Sequence, residues 1–239
     1  MEYRVTEKFG FECLEFDFMG NPARIIKPRV EANGRWALKT EYADAFPETE
    51  IELLKRGWHI AFNKNDNRWA EKNDLERKCK FAEFISREFA LSEKFVVVGM
   101  SCGGLYAVKL AALIPERIAG LYLDAPVINL LSCPFALGKS KLELQEEYYS
   151  CTGRRLIDMI AYRDHPLDKF DILLHNNIKI LLVSGDADCS VPFDENGELL
   201  EKYYNENGGE VKVYIKPGGG HHPHGLSDPG VLADYIESF

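Results

Sequence analysis

Short apolar runs alternate with amphipathic runs along almost the whole chain. Blocks rich in β-branched residues at 95–98, 118–123 and 179–183 predict buried strands. Segments with apolar residues at helical spacing, such as 75–91 and 103–113, lie between such blocks. Long apolar strands that alternate with helices are typical of a mainly parallel sheet with helices on both faces. The pattern therefore predicts an α/β fold.

Turn signals and apolar spacing predict the remaining elements. Residues 13–17 and 23–26 flank a Met-Gly-Asn turn, which predicts a β-hairpin. Further strands are predicted at residues 36–40, 58–62 and 211–215, and further helices at residues 48–56, 194–204 and 231–239.

Residues 127–176 interrupt this alternation. They contain helix-like pieces at 142–149, 154–161 and 167–174 between two predicted strands. A single crossover needs far fewer residues, so we expect a small helical cap over the carboxyl edge of the sheet. A chain of 239 residues suits one sizeable core, and we predict a single domain over 1–239 that includes this insertion.

Charge and composition argue against two classes of partner. The chain has 29 Lys and Arg against 38 Asp and Glu, which gives a net charge of -9. An acidic surface repels phosphate backbones and anionic lipids, so we expect neither nucleic acid nor a membrane as partner. We find no signal-peptide pattern and no membrane-spanning apolar run, which favours the cytoplasm. The sequence does not distinguish a monomer from a homodimer.

The six cysteines contain no Cys-x-x-Cys pair. In a chain without an export signal the reduced state is the default, so we expect free thiols. A bridge between Cys133 and Cys151 is the alternative.

A glycine-flanked serine lies in the stretch VVVGMSCGGLYAVKLAA, residues 96–112, between a predicted strand and a predicted helix. A nucleophile elbow needs this context and small residues two positions either side of the serine, here Gly99 and Gly103. Ser101 would then lie at a helix N-terminus, where backbone N–H groups face a developing oxyanion. Cys102, one residue past the apex, would contribute its N–H rather than its thiol. The alternatives are a packing turn, or a phosphate loop that lacks its Lys-Ser/Thr ending.

Carboxylates follow two of the predicted strands. Asp188 ends the loop after residues 179–183 and is predicted to hold a histidine, whereas Asp186 is predicted to bond local backbone amides in a turn. Alternatively, both are only turn formers. Asp124, after residues 118–123, is a rival acid.

Three of the six histidines follow the last predicted strand, in PGGGHHPHGL. His221, the first residue past the glycines, is predicted to be a general base on a mobile loop, and His222 is the alternative base. A metal site and a structural corner compete with this interpretation. Metal ligation normally needs further converging ligands, so we predict no metal.

With these groups in the order Ser, Asp, His, the chain resembles the α/β-hydrolase superfamily over nearly its whole length. The resemblance is closest to the small esterase and dienelactone-hydrolase-like branch, which is related to the catalytic domain of prolyl oligopeptidases. The segments GRWALKTEYADAF, LYLDAPV and PGGGHHPHGL are similar to recurring segments of bacterial hydrolases in that branch. The resemblance implies an α/β-hydrolase fold with a triad of Ser101, Asp188 and His221.

The same resemblance implies a second oxyanion donor in the loop after residues 36–40. By position this is the backbone N–H of Tyr42, with Glu41 beside it. In similar hydrolases an arginine usually follows the nucleophile, whereas Cys102 stands there in this chain. We also predict that Glu41, Met100 and His222 contact the substrate.

The leading hypothesis is hydrolysis of a small carboxylic ester through an acyl-enzyme, with no cofactor. Family analogy points to acylated sugars or plant aromatic esters as the small-molecule substrates. The alternatives are a small peptidase or amidase of the same fold and a non-catalytic protein that binds a small ligand. A metal-dependent hydrolase built on the His-His-Pro-His run is the weakest alternative.

Overall fold

The computed structural model describes residues 2–239, and within them the chain forms nine strands and seven α-helices. The strands are β1 (Arg4–Lys8), β2 (Phe11–Phe18), β3 (Asn21–Ile26), β4 (Trp36–Lys39), β5 (His59–Asn63), β6 (Phe95–Met100), β7 (Ile118–Asp124), β8 (Lys179–Gly185) and β9 (Val211–Lys216). The helices are α1 (Glu48–Lys55), α2 (Lys72–Glu88), α3 (Gly103–Leu113), α4 (Gln145–Thr152), α5 (Phe170–His175), α6 (Gly197–Asn207) and α7 (Pro229–Ile236). Short 3-10 helices lie at Pro115–Arg117, Leu156–Ile160, Pro166–Lys169 and Phe193–Glu195.

All nine strands form one sheet in the order β1-β2-β3-β5-β4-β6-β7-β8-β9. The six strands from β5 to β9 in this order are parallel, and β1, β2 and β3 extend the sheet as antiparallel strands. The predicted mainly parallel sheet and the predicted hairpin are confirmed. Strand β1 was not predicted, because its residues are largely exposed at the sheet edge and form no apolar run.

Helices cover both faces of the sheet, as predicted. Helices α1 and α7 pack on one face, and α2, α3, α5 and α6 pack on the other. Successive residues of a strand point to opposite faces, so Leu181 and Val183 of β8 pack with the first group and Leu182 with the second. Burial on both faces explains why the central strands are continuous apolar runs.

The helix predicted at residues 194–204 is divided into a 3-10 turn and α6. Asn196, at the break, has φ -132° and ψ -93°, outside the helical region. Its side-chain Oδ1 accepts hydrogen bonds from the N–H groups of Ile128 and Asn129, both at 3.1 Å. The break therefore ties the start of the 127–176 segment to the body of the fold, which no local pattern reveals.

Residues 127–176 lie between β7 and β8 and contain two short α-helices, α4 of eight residues and α5 of six. Of the three predicted helix-like pieces, 142–149 corresponds to α4, which begins only at Gln145, and 154–161 contains a 3-10 helix at Leu156–Ile160. The piece at 167–174 is a 3-10 turn followed directly by α5. Ion pairs join the segment to the body of the fold: Arg68–Glu147, Glu71–Arg154 and Lys109–Asp164.

The predicted free thiols are found at all six cysteines. The alternative bridge is wrong: Cys133 is buried in the core, whereas Cys151 is exposed on α4, and both are free. Among residues 2–239 we find no helix with both the length and the apolar character needed to cross a bilayer.

Candidate active site

Ser101 stands at the sharp turn between β6 and α3 with φ +50°, a left-handed backbone conformation that a serine rarely adopts. Three backbone hydrogen bonds hold it there. The Ser101 N–H donates to the carbonyl of Asp124 at 3.0 Å, and its carbonyl accepts from the N–H groups of Gly104 and Val127 at 2.9 and 2.8 Å. The surrounding backbone thus fixes a strained turn that presents the serine side chain.

The glycines two positions either side of Ser101 meet the steric demand predicted for an elbow. A Cβ on Gly99 would lie 2.7 Å from the Cβ of Ala107 and 2.8 Å from the carbonyl oxygen of Gly103. A Cβ on Gly103 would lie 2.9 Å from Oγ1 of Thr40. All three distances are shorter than real Cβ contacts, so these positions admit only glycine without movement of the elbow.

We expect Gly99→Ala to lower the free energy of unfolding by about 1–3 kcal/mol, because the added methyl group overpacks β6 against α3. Urea denaturation followed by circular dichroism measures this difference. Gly220→Ala is the matched control, since a Cβ there meets nothing within 4 Å, and its effect should stay within about 0.5 kcal/mol. Equal stability of the two variants would contradict the steric account of the elbow.

The structure brings the three predicted triad residues into one hydrogen-bonded chain. Oγ of Ser101 lies 3.0 Å from Nε2 of His221, and Nδ1 of His221 lies 2.7 Å from Oδ2 of Asp188. The other carboxylate oxygen of Asp188 accepts from the N–H groups of Ser190 and Val191 at 2.8 and 2.9 Å. The Asp188 side chain is fully buried and that of His221 is 11% exposed. The carboxylate is therefore orientated from both sides.

The charge of Asp188 determines which nitrogen of His221 carries the proton. Burial acts to raise the pKa of Asp188, but hydrogen bonds from His221, Val191 N–H and Ser190 N–H outweigh it, so that the pKa lies below its ordinary value. An ionised carboxylate only accepts hydrogen bonds, so Nδ1 of His221 carries a proton and Nε2 presents its lone pair to Ser101. An imidazole in this tautomer can accept the serine proton.

The glycine-rich loop that carries His221 is fastened to the loop after β8. The N–H of Gly218 donates to Oδ1 of Asp186 at 2.6 Å, and the N–H of Ala187 donates to the carbonyl of Gly219 at 2.9 Å. The prediction for Asp186 is thus corrected in one respect: the amide that it binds lies on the histidine loop rather than in its own turn. This bond places Asp186 as a positioning residue for the loop.

Asp124, the rival acid, does not contact His221 in the structure. Its Oδ1 lies 2.7 Å from Nδ1 of His224, and its Oδ2 accepts from Gly225 N–H at 2.6 Å and from the Tyr122 hydroxyl at 2.9 Å. Both side chains of this second carboxylate–histidine pair are buried. Asp124 therefore orientates a different histidine of the same loop.

The alternative base, His222, is exposed and its ring stacks on Phe46, with ring centroids 5.3 Å apart and an interplanar angle of 12°. The Ser101 hydroxyl lies within hydrogen-bond distance of Nε2 of His221 instead. The geometry thus favours His221 of the two candidates.

Both residues predicted to donate to the oxyanion lie around one cavity with Ser101. Cys102 is buried at the start of α3, where N–H groups of the first helical turn lack carbonyl partners in the helix. Tyr42 has φ +52°, and its N–H points at Oε1 of Glu41 at 3.3 Å. The other Glu41 oxygen accepts from the side-chain amide of Asn65 at 2.6 Å. The donor roles of Cys102 and Tyr42 stay predictions.

A cavity of about 300 Å³ opens beside Ser101. Of the three predicted substrate contacts, Met100 and His222 line this cavity. Glu41 does not, because its carboxylate is held by Asn65 and the Tyr42 N–H. Sequence reasoning missed further residues that line the cavity, namely Ala45, Phe46, Arg68, Leu142, Leu144, Ser190 and His224.

Arg68 shows why such residues were missed. It lies in the charged run 64–68, which predicts a solvated loop, yet it lines the cavity. Its Nε donates to Oε1 of Glu147 at 2.7 Å, and a second bond joins Nη2 to Oε2. This pairing, the largest influence on either group, raises the pKa of Arg68 and lowers that of Glu147. The charged side chain is thus retained at the cavity by a partner from α4 that is 79 residues away.

One family model matches most of the chain. The family model described as the prolyl oligopeptidase family matches residues 57–237, a range that includes all three residues of the hydrogen-bonded chain. A search of curated proteins gives no match.

Solved structures show the same fold at low sequence identity. An acylaminoacyl peptidase from Pyrococcus horikoshii superimposes with a TM-score of 0.66 and 15% identity, over 92% of this chain and 37% of the peptidase. This chain therefore spans little more than a third of that peptidase's length. An S-formylglutathione hydrolase from Agrobacterium tumefaciens gives a TM-score of 0.63 and 14% identity over 100% of this chain and 96% of the hydrolase.

A CIB-like hydrolase from Thermoplasma acidophilum matches over the full length of both chains, with a TM-score of 0.58 and 15% identity. The α/β-hydrolase fold that the sequence predicts is thereby confirmed. Since the family model covers more than half of its residues, the chain belongs to the prolyl oligopeptidase family.

Proposed function

We propose that this protein is a serine esterase that hydrolyses small carboxylic esters through an acyl-enzyme. One observation carries the proposal: the hydrogen-bonded chain of Ser101, His221 and Asp188 opens onto a cavity of about 300 Å³. Family membership supports the serine hydrolase class, and the cavity supports a small ester as the substrate.

In the proposed reaction Oγ of Ser101 attacks the ester carbonyl while Nε2 of His221 takes the hydroxyl proton. The resulting imidazolium is stabilised by Asp188, and His221 then gives the proton to the departing alcohol. Water repeats the attack on the acyl-enzyme and releases the acid.

The negative oxygen of each tetrahedral intermediate accepts hydrogen bonds from the backbone N–H groups of Cys102 and Tyr42. Loss of one such donor typically costs about 3–4 kcal/mol of transition-state stabilisation. The Tyr42 N–H lies at a long 3.3 Å from the Glu41 carboxylate, a weak bond that an oxyanion can replace.

The cavity favours a small apolar or aromatic acyl group. Its size is at the lower end of the range for small-molecule pockets. Phe46, Met100, Leu142 and Leu144 supply apolar surface, and no carboxylate is among the described residues that line it. A site without a carboxylate has no ion-pair partner for a free peptide amino terminus. We therefore propose acylated sugars or plant aromatic esters as the substrate class, with the alcohol towards solvent.

We also propose that residues 127–176 act as the cap of this site. Leu142 and Leu144 come from this segment, and the bidentate pair between Arg68 and Glu147 fastens it beside the cavity.

A small peptidase or amidase is the second candidate, because the matching family model is that of prolyl oligopeptidases. The two candidates differ in the leaving group that the same acyl-enzyme chemistry must expel. A non-catalytic ligand-binding protein would turn over neither class.

A panel of p-nitrophenyl acetate, butyrate and octanoate, methyl ferulate, acetylated xylose and N-acetylated and free peptide p-nitroanilides separates these candidates. We expect kcat/KM to rise about fourfold per methylene, from about 0.8 kcal/mol of burial, until the acyl group fills the cavity, and then to fall. Leu144→Ala should move the optimum to a longer acyl chain, whereas Leu131→Ala, on the exposed surface of the cap, should leave it unchanged.

Higher kcat/KM for the anilides than for every ester would replace the esterase by a peptidase. No turnover of any member by well-folded protein would favour the ligand-binding protein.

A further inference from the structure

Three imidazole rings meet beside Ser101, and the proposed reaction uses only one of them. The rings of His221, His222 and His224 have centroids 4.8–5.0 Å apart and are steeply inclined to one another. One ring nitrogen from each histidine lies within 4.8 Å of the nitrogens from the other two. We propose that these histidines bind a divalent transition-metal ion of the zinc type, and that the ion inhibits the hydrolase reversibly.

Two of the three histidines have the hydrogen bonds that metal-binding histidines typically make. Nδ1 of His221 is bonded to Asp188 and Nδ1 of His224 to Asp124, each at 2.7 Å. A carboxylate at Nδ1 fixes the proton on that atom and leaves the Nε2 lone pair free for a metal ion. The buried Asp124–His224 pair has no part in proton transfer to or from Ser101, and a metal ligand role accounts for its place in the cavity wall.

The carboxylates behind the cluster favour a cation, and Arg68, which lines the same cavity, is already paired with Glu147. Both carboxylates lie directly behind the ligands, whereas the nearby Lys216 directs Nζ at the carbonyl oxygen of Pro223, 2.6 Å away. Imidazole nitrogens are ligands that zinc prefers, and three of them leave a fourth position for water.

A metal ion can reach the three histidines from solvent, and their ring nitrogens are close enough to share it. His222 is exposed, so an ion can enter from solvent, while His224 forms the buried side of the site. Tetrahedral zinc with bonds of about 2.0–2.1 Å brings ligand nitrogens to about 3.4 Å from one another. The required approach is therefore little more than an ångström, and the histidines lie on a loop with glycines at 218–220 and 225.

Metal binding and proton transfer compete for the same atom. Nε2 of His221 lies 3.0 Å from the Ser101 hydroxyl and is the nitrogen left free by Asp188. Once this lone pair is given to a metal ion it cannot accept the serine proton. The inhibitory part of the inference rests on the proposed function, whereas the binding part does not. A chelator should thus raise the activity of partly metal-loaded enzyme, the reverse of its effect on a metal-dependent hydrolase.

Binding is tested by titrating the metal-free full chain with Zn²⁺ in competition with a chromogenic chelator. We expect one equivalent to bind the wild type and Ser101→Ala alike. His222→Gln and His224→Gln should each weaken binding by at least about tenfold. His175→Gln, an exposed histidine on α5, is the matched control and should bind as the wild type does. Since His222 is exposed, its variant tests the site even if replacement of buried His224 impairs folding.

Inhibition is tested by the rate of fluorophosphonate labelling with and without one equivalent of Zn²⁺. We expect zinc to slow labelling of the wild type and of His175→Gln by at least tenfold, with recovery after chelation, and to slow His222→Gln much less. Zinc affinity that is the same in His222→Gln as in the wild type would overturn the metal site. If zinc binds at these histidines but fluorophosphonate never labels the metal-free protein, the proposed hydrolase is refuted and the metal site is still supported.

Discussion

Ser101→Ala is expected to lower kcat for the best ester substrate by about 10⁶-fold, because the acyl-enzyme cannot form without the hydroxyl that lies 3.0 Å from His221. The fold should be retained, since the backbone bonds that hold the turn do not involve the side chain. Steady-state hydrolysis and thermal unfolding of the same preparation measure both expectations.

Ser150→Ala is the control for this experiment. Ser150 is exposed on α4 and donates to the carbonyl of Glu147, away from the Ser101–His221–Asp188 chain. Its replacement should leave turnover within twofold of the wild type. Retention of more than about one hundredth of the wild-type kcat by Ser101→Ala would mean that another group performs the chemistry.

Asp188→Asn is expected to lower kcat by about 10⁴-fold while the protein stays folded. An amide in place of the carboxylate favours the His221 tautomer whose Nε2 carries the proton, and such a ring cannot accept a proton from Ser101. Steady-state kinetics with saturating ester measures the loss.

The structure offers a matched variant for this prediction, because Asp124 makes the same kind of bond to His224 that Asp188 makes to His221. Asp124→Asn leaves a buried group with altered hydrogen bonds and should cost about 1–3 kcal/mol of stability. Its kcat should nevertheless exceed that of Asp188→Asn by at least about 100-fold. The reverse order would make Asp124 the acid of the triad.

The sequence predicts the architecture well, because its signals are local. The central strands are apolar runs, and Gly103–Leu113 has the bounds expected from apolar spacing. The elbow is equally local: the residues that must be small lie two positions from Ser101, and the turn follows directly from the strand-to-helix context.

Features that depend on pairing between distant parts of the chain could not be predicted. Arg68 belongs to a charged run, and only the contact with Glu147 draws it to the cavity. Glu41 lies in the loop predicted to contact the substrate, yet Asn65 holds its carboxylate away from the cavity. The assignment of Asp124 to His224 is of the same kind, since nothing in the local sequence says which carboxylate faces which histidine.

The most direct measurement of the central claim is the intact mass of the metal-free protein after treatment with a fluorophosphonate. A hydrogen-bonded serine with an activated hydroxyl is phosphonylated, whereas an ordinary surface serine is not. We predict a single added phosphonyl group, mapped to the peptide that carries Ser101 and absent from Ser101→Ala. Folded, chelator-treated wild type that gains no mass, or that is labelled at a different residue, would contradict it.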